Sequence, residues 1–286
     1  MSRYFCVLLL FAVALCGACA GHDAGSPVTN ATTPTPAPPA AAPLPDPASL
    51  VKRLATQDGC KDMTAEMRLT GEAEDGKPVK IEFRVQRKYA PDRTATLLIV
   101  TAPREETDKA LLAIERPGRP TEALSYLAGL KKIARFTSSA TRDLRGAKIY
   151  IQELLGMELD QYTPAPPERV AEGGETLIKV SLAEKTDAGM AFPRIELFFR
   201  ENDQRPARFE LYDAQQKLAR VVKVEEVKQV QNYQTVTKVE IEDKVNNRRV
   251  RLEALRVRYD QSLPDALFTE ASLMKIISEA SHRLIQ

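Results

Sequence analysis

The sequence contains no tryptophan, and aromatic residues make up only 6% of its 286 residues. A buried core therefore has to be built mainly from valine, leucine, isoleucine and phenylalanine. The formal net charge is only +2 at pH 7, so the chain has no strong positive field that would favour nucleic acid. Function has to be sought in local patterns rather than in overall composition.

Cysteine and histidine are too scarce for most metal and nucleophile chemistry. Three of the four cysteines lie in the first nineteen residues: Cys6, Cys16 and Cys19. The remaining Cys60 cannot form an internal disulfide or a zinc site alone, so we interpret it as a surface thiol or a small buried residue. The two histidines, His22 and His282, are not accompanied by a G-x-S-x-G segment, a P-loop or a dinucleotide-binding motif. The sequence indicates a protein that is not an enzyme and uses no cofactor or metal ion.

An apolar run of nine residues, Val7 to Leu15, follows Arg3 and is too short to cross a bilayer as a helix. It predicts a secretory signal peptide over residues 1–18. Two cleavage patterns fit: Ala18-Cys19-Ala20 suits the ordinary signal peptidase, whereas Cys16-Gly17-Ala18-Cys19 resembles a bacterial lipobox with Cys19 as the lipidated residue. In the second case we expect a lipoprotein of the bacterial periplasm, anchored to the outer membrane rather than the inner one.

Residues 19–46 form a segment rich in proline, alanine and threonine. Eight of the 19 prolines of the chain fall between Pro27 and Pro47. A segment of this composition cannot bury a core and prefers an extended conformation. It predicts a disordered tether, followed by one folded domain at residues 47–286.

The rest of the chain is dominated by short segments in which polar and apolar residues alternate. Val79, Ile81, Phe83 and Val85 face one way, with charged or amide side chains between them. Strands are predicted at Asp62 to Glu72, Val79 to Arg87, Leu97 to Val100, Lys109 to Glu115, Glu122 to Leu127, Thr176 to Ala183, Arg194 to Arg200, Ala207 to Asp213, Ala219 to Val230, Gln234 to Asp243 and Arg248 to Tyr259. The segment Leu97 to Val100 is apolar on both faces, so we expect it to be central and covered on each side.

Helices are predicted at only three places. Asp46 and Pro47 look like an N-cap and a first helical residue, a second helix starts at Thr269 or Glu270, and a short helical element runs from Gly146 to Leu155. A change in the phase of alternation near Ala254 predicts a β-bulge. About ten or eleven antiparallel strands with so few helices predict a mainly β (α+β) domain, in which the sheet curls like a barrel. The helices are expected on its concave face or at its end.

Several short segments between Arg68 and Leu273 occur in a characteristic order. They are Thr101-Ala102-Pro103, Ala110-Leu111-Leu112-Ala113-Ile114, the run from Ser125 to Ser139, Tyr150-Ile151-Gln152-Glu153-Leu154, Phe209-Glu210-Leu211-Tyr212-Asp213 and Leu263-Pro264-Asp265-Ala266-Leu267-Phe268-Thr269. This order resembles the outer membrane lipoprotein-sorting protein family. The resemblance implies a LolA-like fold, which is a curved, unclosed antiparallel β-barrel with helices capping its concave face. It also implies a hydrophobic cavity for acyl chains and no enzymatic activity.

From this resemblance we expect a lipoprotein that binds the acyl chains of a lipid or lipoprotein, such as palmitate, for outer membrane lipoprotein sorting or lipid transport. The candidate ligand-binding residues are Phe83, Leu97, Ile99, Leu111, Ala113, Ile149, Ile151, Leu154, Leu197 and Phe199. The element from Gly146 to Leu155 would act as a lid. An envelope transporter or an acceptor lipoprotein is the expected protein partner. The alternative is a protein-binding regulatory or scaffold module of an envelope complex, with a filled core.

A basic segment lies between Lys131 and Lys148. Its six basic residues, against the single acid Asp143, are Lys131, Lys132, Arg135, Arg142, Arg145 and Lys148. The segment is either a solubilising loop or a surface that attracts anionic lipid headgroups or an acidic partner. No aromatic residues alternate with these charges to stack on bases, so nucleic acid is not predicted as a partner.

Overall fold

The computed structural model describes residues 43–55, 60–73, 75–116, 119, 121–127, 132–136, 141–144, 147–150, 153, 158–185 and 189–285. The predicted signal peptide, most of the tether and Cys19 lie outside these residues, and their assignments stay predictions. Within the described ranges, no helix is long and apolar enough to cross a bilayer.

The described part of the chain folds mainly into antiparallel strands. The strands are β1 (Asp62–Glu72), β2 (Pro78–Tyr89), β3 (Thr94–Ala102), β4 (Ala110–Glu115), β5 (Glu122–Leu127), β6 (Lys132–Phe136), β7 (Thr141–Leu144), β8 (Ala147–Tyr150), β9 (Tyr162–Pro164), β10 (Glu168–Glu172), β11 (Glu175–Glu184), β12 (Arg194–Arg200), β13 (Pro206–Tyr212), β14 (Leu218–Val230), β15 (Tyr233–Asp243) and β16 (Arg248–Tyr259). The α-helices are α1 (Pro47–Ala55) and α2 (Glu270–Ile285), and short 3-10 helices span Arg104–Glu106, Leu159–Gln161 and Asp265–Phe268.

Fourteen of these strands form one sheet. Its order is β10-β11-β12-β13-β14-β15-β16-β1-β2-β3-β4-β5-β6, with β9 also paired to β11, while β7 and β8 form a separate hairpin. The end strands β10 and β6 do not pair with each other, so the sheet is curved and unclosed. This confirms the predicted fold class. The strand count exceeds the predicted ten or eleven because β6 to β10 have only three to five residues each, too few for alternation to reveal them.

The predicted helical element from Gly146 to Leu155 is wrong over its first part. Ala147–Tyr150 forms β8, which pairs with β7 so that Ile149 lies opposite Arg142. A β-branched residue and a tyrosine in four positions favour a strand once a partner strand is close. Glu153 is helical, and residues 151, 152 and 154–157 lie outside the described residues. The basic segment likewise contains the strands β6 and β7 rather than one loop.

The main sheet buries its inner face in the larger of two hydrophobic cores. The predicted row on β2, from Val79 to Val85, is confirmed, because each of its four apolar side chains is at most 4% exposed and belongs to this core. Inner-face side chains come from both halves of the sheet, including Leu197 on β12 and Ile241 on β15. Helix α1 packs against the same core through Leu50 and Leu54.

The smaller core lies on the outer face of β3, β4 and β5. Leu97, Leu112 and Leu124 pack there against Leu273 and Ile277 of α2. Strand β3 is therefore covered on both faces, as predicted. Whereas α1 lies on the inner face as expected, α2 lies on the outer one, because these three strands expose an apolar outer row that an amphipathic helix can bury.

The predicted helix cap at Asp46 and the predicted β-bulge near Ala254 are both confirmed. Asp46 caps α1, because its Oδ2 accepts a hydrogen bond of 2.8 Å from the backbone N–H of Ser49. The pairing of β1 with β16 shifts register between Glu66 and Met67, which leaves Leu255 as the extra residue of a β-bulge.

Candidate functional site

The inner face of the sheet brings together five of the predicted ligand-binding residues. They are Phe83, Leu111, Ala113, Leu197 and Phe199, and each is at most 5% exposed. They come from three strands, β2 and β4 in one half of the sheet and β12 in the other, so the curvature of the sheet brings them together. All five belong to the larger hydrophobic core.

Leu97 and Ile99 do not belong to this core. In the register of β2 and β3, Ile99 lies opposite Arg84 and Leu97 lies opposite Gln86, both on the outer face. The inner-face residues of β3 are Leu98 and Val100 instead. Because β3 is apolar on both faces, alternation along the strand did not show which set points inward.

The three remaining predicted ligand-binding residues give no further support to the inner face. Ile149 lies on β8 of the separate hairpin, away from the main sheet pairing. Ile151 and Leu154 lie outside the described residues, so their assignments stay predictions.

Large side chains fill the described part of the interior. Phe192, Phe199 and Tyr259 are each at most 2% exposed. The hydroxyl of Tyr162 donates a hydrogen bond of 2.8 Å to the backbone oxygen of Phe192, which fixes this end of the core. An acyl chain can therefore enter only if some of these side chains rotate or the sheet opens.

A buried ionic group interrupts the apolar inner face on β14 and β15. Arg220 Nε lies 3.0 Å from Glu153 Oε1, and a second nitrogen of the same guanidinium pairs with Asp243, which lies opposite it on β15. The side chains of Arg220 and Glu153 are only 6% and 2% exposed. Buried charges need partners of this kind. The ion pair with Arg220 therefore holds Glu153 against β14.

Near one end of β2 and β3 the inner face carries polar side chains, and we call this part the polar end. One row across β2, β3 and β4 is Val85, Leu98 and Leu111. The next inner-face positions on β2 and β3 are Arg87 and Thr96, which lie opposite each other. Both side chains are buried, at 1% and 0% exposure, so these polar groups lie inside the domain.

Arg87 is the centre of this polar end. Its side chain is 1% exposed, its Nε donates a hydrogen bond of 2.8 Å to Thr96 Oγ1, and its guanidinium lies 3.7 Å from Glu115 Oε1. Sequence reasoning missed this residue, although a signal existed. Arg87 continues the apolar phase of β2 after Val85, which places it on the same face as the apolar side chains.

A small open pocket of about 20 Å³, room for about one water molecule, lies beside this polar end. Charged side chains that line it are Arg93, Arg116, Arg119, Glu115, Glu158 and Asp160. Within the residues that the structure describes, no group of His, Cys, Asp and Glu is arranged to hold a metal ion. The pocket is therefore a mixed-charge site built from arginines and carboxylates.

The carboxylates of the pocket are held in place and partly shielded from water. Glu158 is 6% exposed, and its Oε1 accepts a hydrogen bond of 3.2 Å from the backbone N–H of Thr121. Burial, together with the neighbouring Glu158 carboxylate, raises the pKa of Asp160 above its usual range. A hydrogen-bond donor or a cation placed beside such a carboxyl group stabilises its charged form.

Three solved structures resemble this fold. The chain is similar to a structure described as an outer membrane lipoprotein-sorting protein domain from Vibrio parahaemolyticus, with 18% identity, a TM-score of 0.68 and coverage of 76% of this chain and 93% of that chain. A DUF1329 family protein from Desulfovibrio piger has 17% identity, a TM-score of 0.71 and coverage of 79% and 96%. A LolA superfamily protein from Nitrosomonas europaea has 16% identity, a TM-score of 0.66 and coverage of 79% and 99%.

These identities are low, so the three structures establish the fold and not the activity. The domain has the LolA-like fold that the sequence resemblance implied. A search of the curated proteins finds no match to the chain. A protein-family model described as "Uncharacterized protein" matches residues 92–275, which is more than half of the chain, and the chain belongs to that family.

Proposed function

We propose that this chain is a non-enzymatic cell-envelope protein that binds the acyl chains of a lipid or lipoprotein against the inner face of its sheet. The observation that carries the proposal is the mainly apolar inner face of an unclosed sheet. Burial of an acyl chain there contributes about 0.8 kcal/mol for each CH₂ group removed from water.

The fold and the N-terminal segment support the same function. One structure of similar fold is described as a lipoprotein-sorting domain, and the sequence predicts a signal peptide with Cys19 as a lipidation site. The proposed location is the bacterial periplasm, with an anchor in the outer membrane and a proline-rich tether between anchor and domain. The proposed protein partner is an envelope transporter or an acceptor lipoprotein.

The gap between the edge strands gives the ligand a route into the filled core. Strands β6 and β10 are not hydrogen-bonded to each other, so the sheet can spread there without breaking ladder hydrogen bonds. Rotation of buried phenylalanine side chains then makes room along the inner face. Ligand binding is expected to require this opening and to be slower than simple diffusion.

Displacement of a fluorescent fatty acid from detergent-free protein, together with native mass spectrometry, tests the proposal. Leu111 and Leu112 are neighbours on β4 with 5% and 1% exposure, but they belong to the inner and the outer core respectively. Leu111→Ser is expected to weaken probe binding roughly tenfold, because apolar contact worth about 1–2 kcal/mol is lost. Leu112→Ser is the matched control and is expected to leave probe affinity unchanged.

Two outcomes contradict acyl-chain binding: the wild-type protein neither carries copurified lipid nor binds the probe, or both variants weaken the probe equally. The second candidate function is then favoured, a regulatory or scaffold module that binds protein. The dense packing of Phe192, Phe199 and Tyr259 in the interior favours this alternative. Its test is the same titration, in which a filled core gives no saturable probe binding.

A further inference from the structure

Three exposed arginines lie close together on the outer face of β2, β1 and β16. Arg84 and Arg256 flank Glu66 in one row, because each is its register partner on a neighbouring strand. Arg258 lies in the next outer-face row, whose other two members are uncharged. From the spacing of strands and of residues along them, the three Cα atoms fall within about 12 Å of one another. We call Arg84, Arg256 and Arg258 the arginine patch.

The charge of the arginine patch is only partly offset. Glu66 Oε1 lies 3.4 Å from a nitrogen of Arg256, and these two side chains are 44% and 60% exposed. Arg84 and Arg258 are exposed, and neither forms an ion pair with a residue that the structure describes. The patch therefore presents an excess of positive charge to water.

The acids that border the patch have partners of their own. In the row beyond Glu66, Arg68 lies 2.9 Å from Glu82 and 3.8 Å from Glu253, and each of these carboxylates also pairs with a lysine. At the other end, Asp62 and Asp260 accept hydrogen bonds of between 2.7 and 2.9 Å from backbone N–H and tyrosine hydroxyl groups. These acids therefore leave the arginines available to an external anion.

An exposed apolar side chain adjoins the arginines. Leu255, the extra residue of the β-bulge, directly precedes Arg256 and is 42% exposed. The ladder between β15 and β16 ends at the pair of Lys238 and Glu253, so the bulge lies where β16 is paired on one side only. Basic side chains beside an exposed leucine suit a membrane interface, because the charges attract anionic headgroups while the apolar group enters the acyl boundary.

The predicted N-terminal anchor favours a membrane over an acidic protein as the occupant. Residues 19–46 join the predicted lipidation site Cys19 to the domain. At about 3.1 Å per residue, this proline-rich segment reaches roughly 80 Å when extended. A domain held this close to a bilayer meets its surface at a high effective concentration, so weak contacts are sufficient.

We infer that the arginine patch and Leu255 dock the domain on the surface of an anionic phospholipid bilayer. The guanidinium groups contact lipid phosphates, and Leu255 enters the headgroup region beside them. The docking surface is on the outer face, so the inference does not depend on acyl-chain binding at the inner face.

Vesicle co-sedimentation of the mature chain carrying Cys19→Ser measures docking without an acyl anchor. Vesicles that contain phosphatidylglycerol are expected to bind about 30-fold tighter than vesicles of phosphatidylcholine alone. At about 1 M salt, where the Debye length is only about 3 Å, this preference should disappear. Leu255→Ser is expected to weaken binding to the anionic vesicles about fivefold and to leave its salt dependence unchanged.

The triple change Arg84→Gln, Arg256→Gln and Arg258→Gln is expected to remove the preference for anionic vesicles. The matched control removes the same charge from exposed positions in the other half of the sheet: Arg169→Gln, Arg200→Gln and Lys217→Gln. The control is expected to keep the preference. Equal losses in the two triple variants would show that only net charge matters and would overturn the inference.

The wild-type measurements decide the question even if a triple variant unfolds. Equal binding to both kinds of vesicle, or binding to neither, overturns the inference. Poly-glutamate that displaces the chain from vesicles at an equal concentration of charge would assign the patch to an acidic polypeptide and would also overturn it. None of these outcomes changes fatty-acid displacement, so the proposed function is tested separately.

Discussion

Arg87 Nε donates a hydrogen bond of 2.8 Å to Thr96 Oγ1 across β2 and β3, in the interior of the domain. The rows that precede this pair on the same face are apolar. The pair therefore places two polar side chains among apolar ones, since Met63 and Ala113 in the same row belong to the larger core. Glu115, at 3.7 Å from the same guanidinium, completes a buried ionic group at this end.

Loss of the Arg87 charge is expected to destabilise the domain strongly. Arg87→Met leaves the buried Glu115 carboxylate without its arginine, which typically lowers the free energy of unfolding by about 3 kcal/mol. Adding Glu115→Leu is expected to restore a large part of that loss, because the buried carboxylate that has lost its arginine is then removed. Urea unfolding of the two single variants and the double variant measures the coupling. Arg84→Met, at an exposed outer-face position of the same strand, is the control and is expected to change stability by less than about 0.5 kcal/mol.

Glu153 is expected to stabilise the domain through Arg220. Glu153→Gln should lower the free energy of unfolding by about 1–2 kcal/mol, less than for a fully orphaned charge, because Asp243 still pairs with the guanidinium. The control is Glu168→Gln, which removes a carboxylate that is 58% exposed in its pair with Lys179. Equal effects of the two substitutions in thermal unfolding would contradict a special role for the buried pair.

Cys60 is expected to be unreactive in the native protein. The thiol is 7% exposed and donates to the backbone oxygen of Asp62 at 3.0 Å. Burial, with the nearby charges of Asp260 and Asp62, raises its pKa to about 12. The thiolate is the reactive form, so a disulfide reagent at pH 8 should label Cys60 only as fast as the domain unfolds. Rapid stoichiometric labelling without denaturant would show that the thiol is accessible.

Stability is expected to fall in acid partly through Glu242. Hydrogen bonds from Lys223 and Lys244 lower the pKa of Glu242 to about 2, from an ordinary value of 4.5. A carboxyl group with a lowered folded-state pKa stabilises the protein above its unfolded pKa, and this contribution is lost as pH falls from 4.5 towards 2.

The substitution Glu242→Gln tests this dependence. It is expected to lower the free energy of unfolding at pH 7 by on the order of 1 kcal/mol, because both lysines are partly exposed. The difference from the wild-type protein should shrink as the pH approaches 2. A difference that stays constant over this range in urea titrations would show that the effect of the substitution is not due to the charge.

The long strands could be predicted from sequence because each shows enough alternation to reveal its period. The row from Val79 to Val85 and the bulge at Leu255 were both visible in this way. Shorter strands such as Ala147–Tyr150 were not, and this one was mistaken for part of a helix. Four residues contain too few repeats to separate the two periods, so a neighbouring strand decides.

The candidate site depended more heavily on tertiary structure. Sequence found the apolar residues Phe83, Leu111 and Phe199 but placed Leu97 and Ile99 with them, because a strand apolar on both faces does not reveal which face is inner. Only the register with β2 settles that point. It also missed the pocket beside Arg87, whose charges come from segments far apart in the chain.

The sequence by itself determined that this chain forms a mainly β domain with few helices, since the alternation of its strands is a local property of the backbone. It also determined the order of segments that resembles the LolA-like fold. Only the tertiary structure decided which apolar face is the interior, and that Arg87 is buried on this face inside the domain. Those features depend on strand register and on sheet curvature, which join residues that no local pattern connects.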